Sequence, residues 1–184
     1  MSRLDIRRAT GADAPAIARL YRQAYASAAQ LGYPSRMTEI NAETVAEWLE
    51  REAVTLVASA DGAATVTGPA APPTDDVRTP TGSETSTDED EFVGTVRLLE
   101  ERDEPYLERL AVHPDWQGEG VATTLVDRVE ELARERGYDC VQLTTFDEHP
   151  FLLEWYRERG YEPTEYHESS RHDYAFVSME KPLE

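Results

Sequence analysis

Between Tyr106 and Ala133 the chain reads YLERLAVHPDWQGEGVATTLVDRVEELA, an apolar strand, a turn carrying two glycines and then an amphipathic helix. Leu107, Leu110 and Val112 give Tyr106–His113 strand character, and Pro114 with Asp115 stops it before Gln117-Gly118-Glu119-Gly120. From Ala122 the apolar residues recur at Leu125, Val126, Val129, Leu132 and Ala133, one face of a helix that Gly137 is placed to cap. The first turn of such a helix leaves backbone N–H groups without intrahelical partners at the positive end of the helix dipole. That is a seat for phosphate oxygens, and Gly118 and Gly120, lacking Cβ, let a bulky ligand approach the main chain.

Two familiar anion-binding loops fit poorly. Thr123 stands where the third glycine of a dinucleotide fingerprint belongs, and a P-loop needs a Gly-Lys-Ser/Thr ending that the turn lacks. The stretch Gln117-Gly118-Glu119-Gly120-Val121-Ala122 instead resembles the Gln/Arg-x-x-Gly-x-Gly/Ala signature of the GNAT N-acetyltransferase superfamily. Leu110-Ala111-Val112-His113-Pro114-Asp115-Trp116 resembles that family's fourth strand and turn, and Trp155-Tyr156-Arg157-Glu158-Arg159-Gly160-Tyr161 its Phe-Tyr-x-x-x-Gly-Phe segment. The resemblance covers residues 92–180 well and the first 60 loosely. It implies acetyl-CoA as donor, with the pyrophosphate on Gln117, Gly118, Glu119, Gly120, Val121, Ala122 and Thr123 and the pantetheine arm paired with the main chain of Leu110, Ala111 and Val112. It also implies that the fourth and fifth strands splay, leaving Leu110–Val112 and part of Val141–Phe146 unpaired.

Composition narrows the setting. A chain of 184 residues that is 40% hydrophobic can bury one substantial core, so one domain over 1–184 is expected. Its 37 acidic and 18 basic residues give a formal charge of −19, and Lys181 is the only lysine. Acids spread along the predicted helices keep a surface soluble where concentrated salt screens their repulsion, which points to a salt-adapted, halophile-type protein. Without a basic patch, nucleic acid is not an expected partner. No stretch approaches the roughly 20 apolar residues needed to span a membrane, and MSRLDIRRAT has no apolar signal core, so the expectation is a cytoplasmic protein without membrane association. Cys140, the single cysteine, reads as a small core hydrophobe, and four scattered histidines offer no metal site.

Along the chain, Leu4 and Ile6 mark a first strand, Asp13 and Pro15 start a helix running to about Gln30, and Asn41 caps a second through Val45, Trp48 and Leu49. Ala53–Ala60 and Phe92–Glu101 read as strands. Residues 61–91, rich in Pro, Thr and Ser and ending in Asp88-Glu89-Asp90-Glu91, read as a mobile acidic insertion, because burial there cannot offset ordering entropy. Tyr138–Phe146 supplies a strand, Pro150–Arg159 a helix with proline in its first turn, and Tyr161–His167 with Asp173–Glu180 a closing pair. This order is α+β, with a mixed, mostly antiparallel central sheet flanked by helices, as in GNAT-like proteins. Tyr161–Glu184 offers a surface for a homodimer, although no pattern requires one.

Acetyl transfer to an amine needs a held donor, a neutral amine and a proton for the departing thiolate. The resemblance puts Tyr156 near the sulfur, where a phenol can donate. A simple alkylamine is neutral only about once in a thousand molecules at neutral pH, so a base helps, and Glu108 is the best-placed carboxylate, though it also reads as a solvent-facing strand residue. Thr144 stands where some relatives carry a glutamate, and His149 where many have a cofactor-contacting asparagine, as well as packing at a helix start. Tyr33, Arg36 and Met37 lie in the loop that borders the acceptor in this family. The acceptor is a small-molecule or peptide primary amine, and the acidic surface favours a cationic one, less so in salt. A noncatalytic acyl-CoA-binding or sensing module remains an alternative. So does a structural protein docking through 61–91.

Overall fold

The computed structural model describes residues 4–51, 53–60, 92–101, 103–169 and 174–184, and the insertion expected at 61–91 lies outside them. The elements run β1 (Leu4–Arg8), α1 (Ala14–Gln30), α2 (Ala42–Leu49), β2 (Ala53–Ala60), β3 (Phe92–Leu99), β4 (Tyr106–Val112), α3 (Val121–Glu135), β5 (Cys140–Phe146), α4 (Leu152–Glu158), β6 (Glu162–His167) and β7 (Phe176–Pro182). Short 3₁₀ turns at Gly11–Asp13, Arg36–Glu39 and Pro114–Trp116 were not anticipated. Asn41 caps α2 as expected, its Oδ1 accepting from Thr44 N–H at 2.8 Å. Pro150 stands outside the first turn of α4, which begins only at Leu152. Gly137 takes φ +82° after α3, where its N–H donates to Arg134 C=O and Tyr138 N–H to Ala133 C=O, the paired bonds of a Schellman ending.

The strands form one seven-stranded mixed sheet in the order β1-β2-β3-β4-β5-β7-β6, antiparallel except where β4 meets β5. Helices α3 and α4 cover one face, where Val121, Leu125, Val129 and Tyr156 pack with Val96, Leu98, Leu107 and Leu143. Helices α1 and α2 cover the other, with Ile17, Leu20, Tyr21 and Val45 against Val57, Phe92 and Ala111.

Two local devices in this frame build the site. At Gly94 a Cβ would lie 2.6 Å from Val121 Cγ1 and 2.8 Å from Leu125 Cδ1, so only glycine lets α3 sit this close to β3. In β4, Ala111 pairs with Thr95 but Glu108 pairs with Arg97, so one extra residue is inserted, and Arg109 there takes φ +53°. Such a bulge bends its strand and resets the alternation of side chains. Glu108 and Ala111 consequently face the α1 side, while Leu107, Leu110 and Val112 share the α3 side. Past the bulge β4 leaves β5: the two strands pair only at Tyr106 and Gln142, where Gln142 N–H donates to Pro105 C=O at 2.9 Å.

Candidate functional site

The gap opened by this divergence is a cleft of about 640 Å³ that passes through the sheet. From the α3–α4 side it is lined by Val121, Ala122, Thr123, Leu152, Trp155 and Tyr156, and from the α1 side by Ala24, Tyr25, Ser27, Ala28 and Leu31. Among the residues expected from sequence, Glu108, Leu110, Ala111, Val112, Gln117, Gly118, Gly120, Val121, Ala122, Thr123, His149 and Tyr156 all border it. Glu119 does not, and neither do Tyr33, Arg36 or Met37. Tyr33 is instead buried against Phe146, His149 and Tyr174, with ring centroids 4.7, 4.8 and 5.3 Å away. The α1 lining comes from the last turns of that helix. Sequence shows that helix plainly but not which of its faces meets the gap.

At one end stands the α3 N-terminus. Gly120 precedes the helix with φ +82°, and no side chain caps it. The first intrahelical bond is Thr124 N–H to Gly120 C=O at 3.0 Å, so the amides of Val121, Ala122 and Thr123 have no backbone acceptor among the described residues. Gly118 is also left-handed, at φ +83°, and the space where either glycine would carry a Cβ is open. Any other residue would pay the strain of that backbone and fill the approach to the amides. The residues present therefore fit a pyrophosphate, held by main-chain dipoles rather than by charged side chains. On β4, the backbone of Leu110 and Val112 faces the gap with no strand across it, which leaves an edge for an extended ligand.

Tyr156 is buried, with its ring edge-on to Trp155 at 4.8 Å and to Tyr161 at 5.5 Å. Burial, with a smaller contribution from nearby Tyr25, holds its phenol above the ordinary value of 10, so it stays protonated at neutral pH. His149 is buried too. Its Nδ1 accepts from Leu152 N–H at 3.3 Å and Phe151 N–H at 3.5 Å at the start of α4, and burial lowers its pKa, favouring a neutral ring with Nε2 as donor. Thr144 is exposed and hydrogen-bonded to Ser178 Oγ at 3.3 Å. Cys140 borders no part of the cleft, and burial followed by the Glu104 carboxylate pushes its thiol up to about 12, so it is no nucleophile.

Glu108 sits on the α1 side in a cluster that sequence did not reveal. Arg97 Nη1 donates to Glu108 Oε1 at 2.9 Å, Arg109 donates to the same oxygen, and Arg97 Nη2 reaches Trp48 C=O at 3.1 Å. The Arg109 guanidinium lies 3.8 Å above the Trp48 ring. Arg97 is almost wholly buried, and desolvation lowers its pKa, partly countered by Glu108. The bulge brings these groups together by turning Glu108 and Arg109 toward α2.

Known proteins resemble this chain in sequence and in fold. The sequence profile of the acetyltransferase (GNAT) family matches residues 75–161. An uncharacterized N-acetyltransferase of Methanocaldococcus jannaschii is 31% identical over 67 residues, a match spanning 36% of this chain and 30% of that protein. Among solved structures, an N-acetyltransferase of Thermoplasma acidophilum in complex with coenzyme A superimposes with a TM-score of 0.70 at 14% identity, over 98% of this chain and 99% of that one. The yncA protein of Salmonella typhimurium, solved with its cofactor acetyl-CoA, gives 0.68 at 16% identity, over 98% and 94%.

Proposed function

We propose that the chain is a member of the GNAT acetyltransferase family, whose profile it matches over residues 75–161, and that it is an N-acetyltransferase, moving an acetyl group from acetyl-CoA to a primary amine by direct attack of the amine in a ternary complex. The observation that carries this reading is that three requirements meet on one cleft: uncapped amides at Val121–Thr123, a free edge at Leu110–Val112, and a protonated phenol at Tyr156.

Acetyl-CoA supplies an acetyl group activated as a thioester. The chain supplies the rest. Gly118 and Gly120 to Thr123 hold the pyrophosphate through main-chain N–H groups, which suits concentrated salt because salt screening weakens exposed charge pairs. Leu110 and Val112 align the pantetheine arm, and His149 Nε2 adds a donor beside it. Tyr156 gives its phenolic hydrogen bond, and then its proton, to the departing sulfur. Glu108 receives the proton released by the amine, directly or through water. Its Oε1 is engaged by both guanidiniums, so Oε2 is the working oxygen. The excess of 37 acidic over 18 basic residues supports salt adaptation, and on this reading the enzyme works in the cytoplasm, as a monomer or homodimer.

The test is calorimetric titration with acetyl-CoA in molar KCl, followed by thiol release across a set of amines, for the wild type and Tyr156→Phe. The reading expects binding by both proteins and a turnover loss of about 10²–10⁴-fold in the variant. Binding without turnover of any amine in either protein would make it an acyl-CoA sensor. A folded wild type that does not bind acetyl-CoA would remove the reading altogether.

A further inference from the structure

The surface and the cleft of this protein differ in charge. The chain carries a formal charge of −19, yet Glu108 and Arg109 are the only charged residues lining the cleft among those described. Glu108, moreover, is already engaged by Arg97 and Arg109, so its negative charge is offset. Among the described residues that line the cleft, no carboxylate is left over to receive a second ammonium group. Bringing an unpaired cation into such a space loses its hydration without compensation.

What the cleft offers instead is apolar surface. Phe146 and Phe176 lie 5.6 Å apart at the ends of β5 and β7, and both border the cleft. Leu31, just beyond α1, and Phe151, at the start of α4, border it as well while each remaining 55% exposed. Large apolar side chains left half in solvent beside a cleft give a bound ligand apolar area to cover.

Resting on the acetyltransferase reading above, we propose that the acceptor is a monoamine carried on an apolar or aromatic body, and that Leu31 and Phe151 select it. The inference runs against expectation from the acidic surface, which favours polycations. Surface charge acts on encounter from outside and is screened by salt, whereas lining chemistry acts on the bound molecule.

The test compares phenethylamine and hexylamine with spermidine and cadaverine. Two readouts are used: kcat/KM by thiol release, and calorimetric binding of each amine in the presence of CoA, which does not depend on turnover. The proposal expects the apolar monoamines to be favoured about a hundredfold in both. It also expects Phe151→Ala to lower kcat/KM for phenethylamine about ten- to a hundredfold with acetyl-CoA affinity unchanged. Leu31→Glu, at an exposed position where folding is not at risk, should move the spermidine to phenethylamine ratio at least tenfold toward the polyamine. Preference for spermidine by the wild type, or no binding of either monoamine, overturns the proposal even if acetyl-CoA binds. So does a Phe151→Ala protein whose acyl-chain preference changes while its amine preferences stay fixed, since the apolar wall would then serve the donor. Failure to bind acetyl-CoA, by contrast, overturns the acetyltransferase reading.

Discussion

Replacing Gly94 by alanine tests whether the seat of α3 on β3 positions the amides proposed to bind phosphate. The added Cβ would stand 2.6 Å from Val121 Cγ1 and 2.8 Å from Leu125 Cδ1. Ordinary contact begins at about 3.5 Å, so the helix must retreat by up to roughly 1 Å or the side chains must leave their rotamers. Leu125 can turn at its outer torsion. Val121 cannot, because a β-branched residue in a helix has essentially one χ1 well. Overpacking of this kind costs about 1–3 kcal/mol, and in a domain of this size each kcal/mol lowers Tm by about 2–4 °C, so a fall of roughly 2–12 °C is expected. Val121 is also the first residue of α3, and its displacement carries the amides of Val121–Thr123 away from β4. A shift of about 1 Å in positioning groups can cost on the order of 10²-fold in turnover. Thermal unfolding and calorimetric acetyl-CoA titration of Gly94→Ala read the two effects. A variant within a degree of the wild type and with unaltered affinity would refute the claim that this glycine sets the helix against the sheet.

Three further outcomes are expected. Gly120→Ala, at φ +82°, should lose about 1–2 kcal/mol of stability in urea unfolding and weaken acetyl-CoA binding by more than that strain explains, because its methyl enters the phosphate seat; equal losses in stability and binding would argue against the seat. Glu108→Gln keeps an acceptor for Arg97 but removes the charge that balances a buried guanidinium, so a destabilisation of about 1–3 kcal/mol and a rightward shift of the pH–rate profile are expected, and an unchanged profile would dismiss Glu108 as the base. Asp13 is bonded by Arg7 Nη2 at 2.7 Å and Nη1 at 2.9 Å, which with Thr10 N–H lowers its pKa from 3.8 to about 2. A folded-state value below the unfolded one gives stability that is full above about pH 4 and lost as pH falls toward 2, so the stability advantage of the wild type over Asp13→Asn should shrink as pH falls through that window, and a constant difference would count against the pairing.

Much of the architecture is legible in the residues because it is local. Asn41, Gly137 and Gly160 announce helix ends through their own backbone chemistry, and the 3.6-residue spacing from Leu125 to Ala133 identifies α3 without reference to anything it touches. The turn proposed to seat the phosphate is legible for the same reason: Gly118, Gly120 and the helix start are adjacent in the chain. What was missed depends on residues far apart. Gly94 reads as an ordinary strand glycine until α3 is laid on it, and Arg97, Glu108 and Trp48 come from separate elements. The bulge is an intermediate case. Leu107 to Leu110 is a step of three in a strand otherwise alternating by two, and that break in parity was visible as a signal that β4 changes face. Tyr33, Arg36 and Met37 failed as lining residues because a loop's destination is set by the helices it joins, whose crossing of the sheet no short-range pattern encodes.

The lone pairing of Tyr106 with Gln142 has a mechanical meaning. A seven-stranded sheet joined in its middle by one rung is two blades on a rivet, β1 to β4 on one side and β5 to β7 on the other. Backbone bonding holds each blade internally, while their mutual angle rests on helix packing across the divide. A strand-shaped guest lying along Leu110–Val112 extends the first blade toward the second and resists opening by shear rather than by peeling. Among the described residues the gap is thus a line crossed by little backbone bonding, and a ligand seated there as proposed would stiffen the seam, so ligand binding and the mutual angle of the two blades would be coupled.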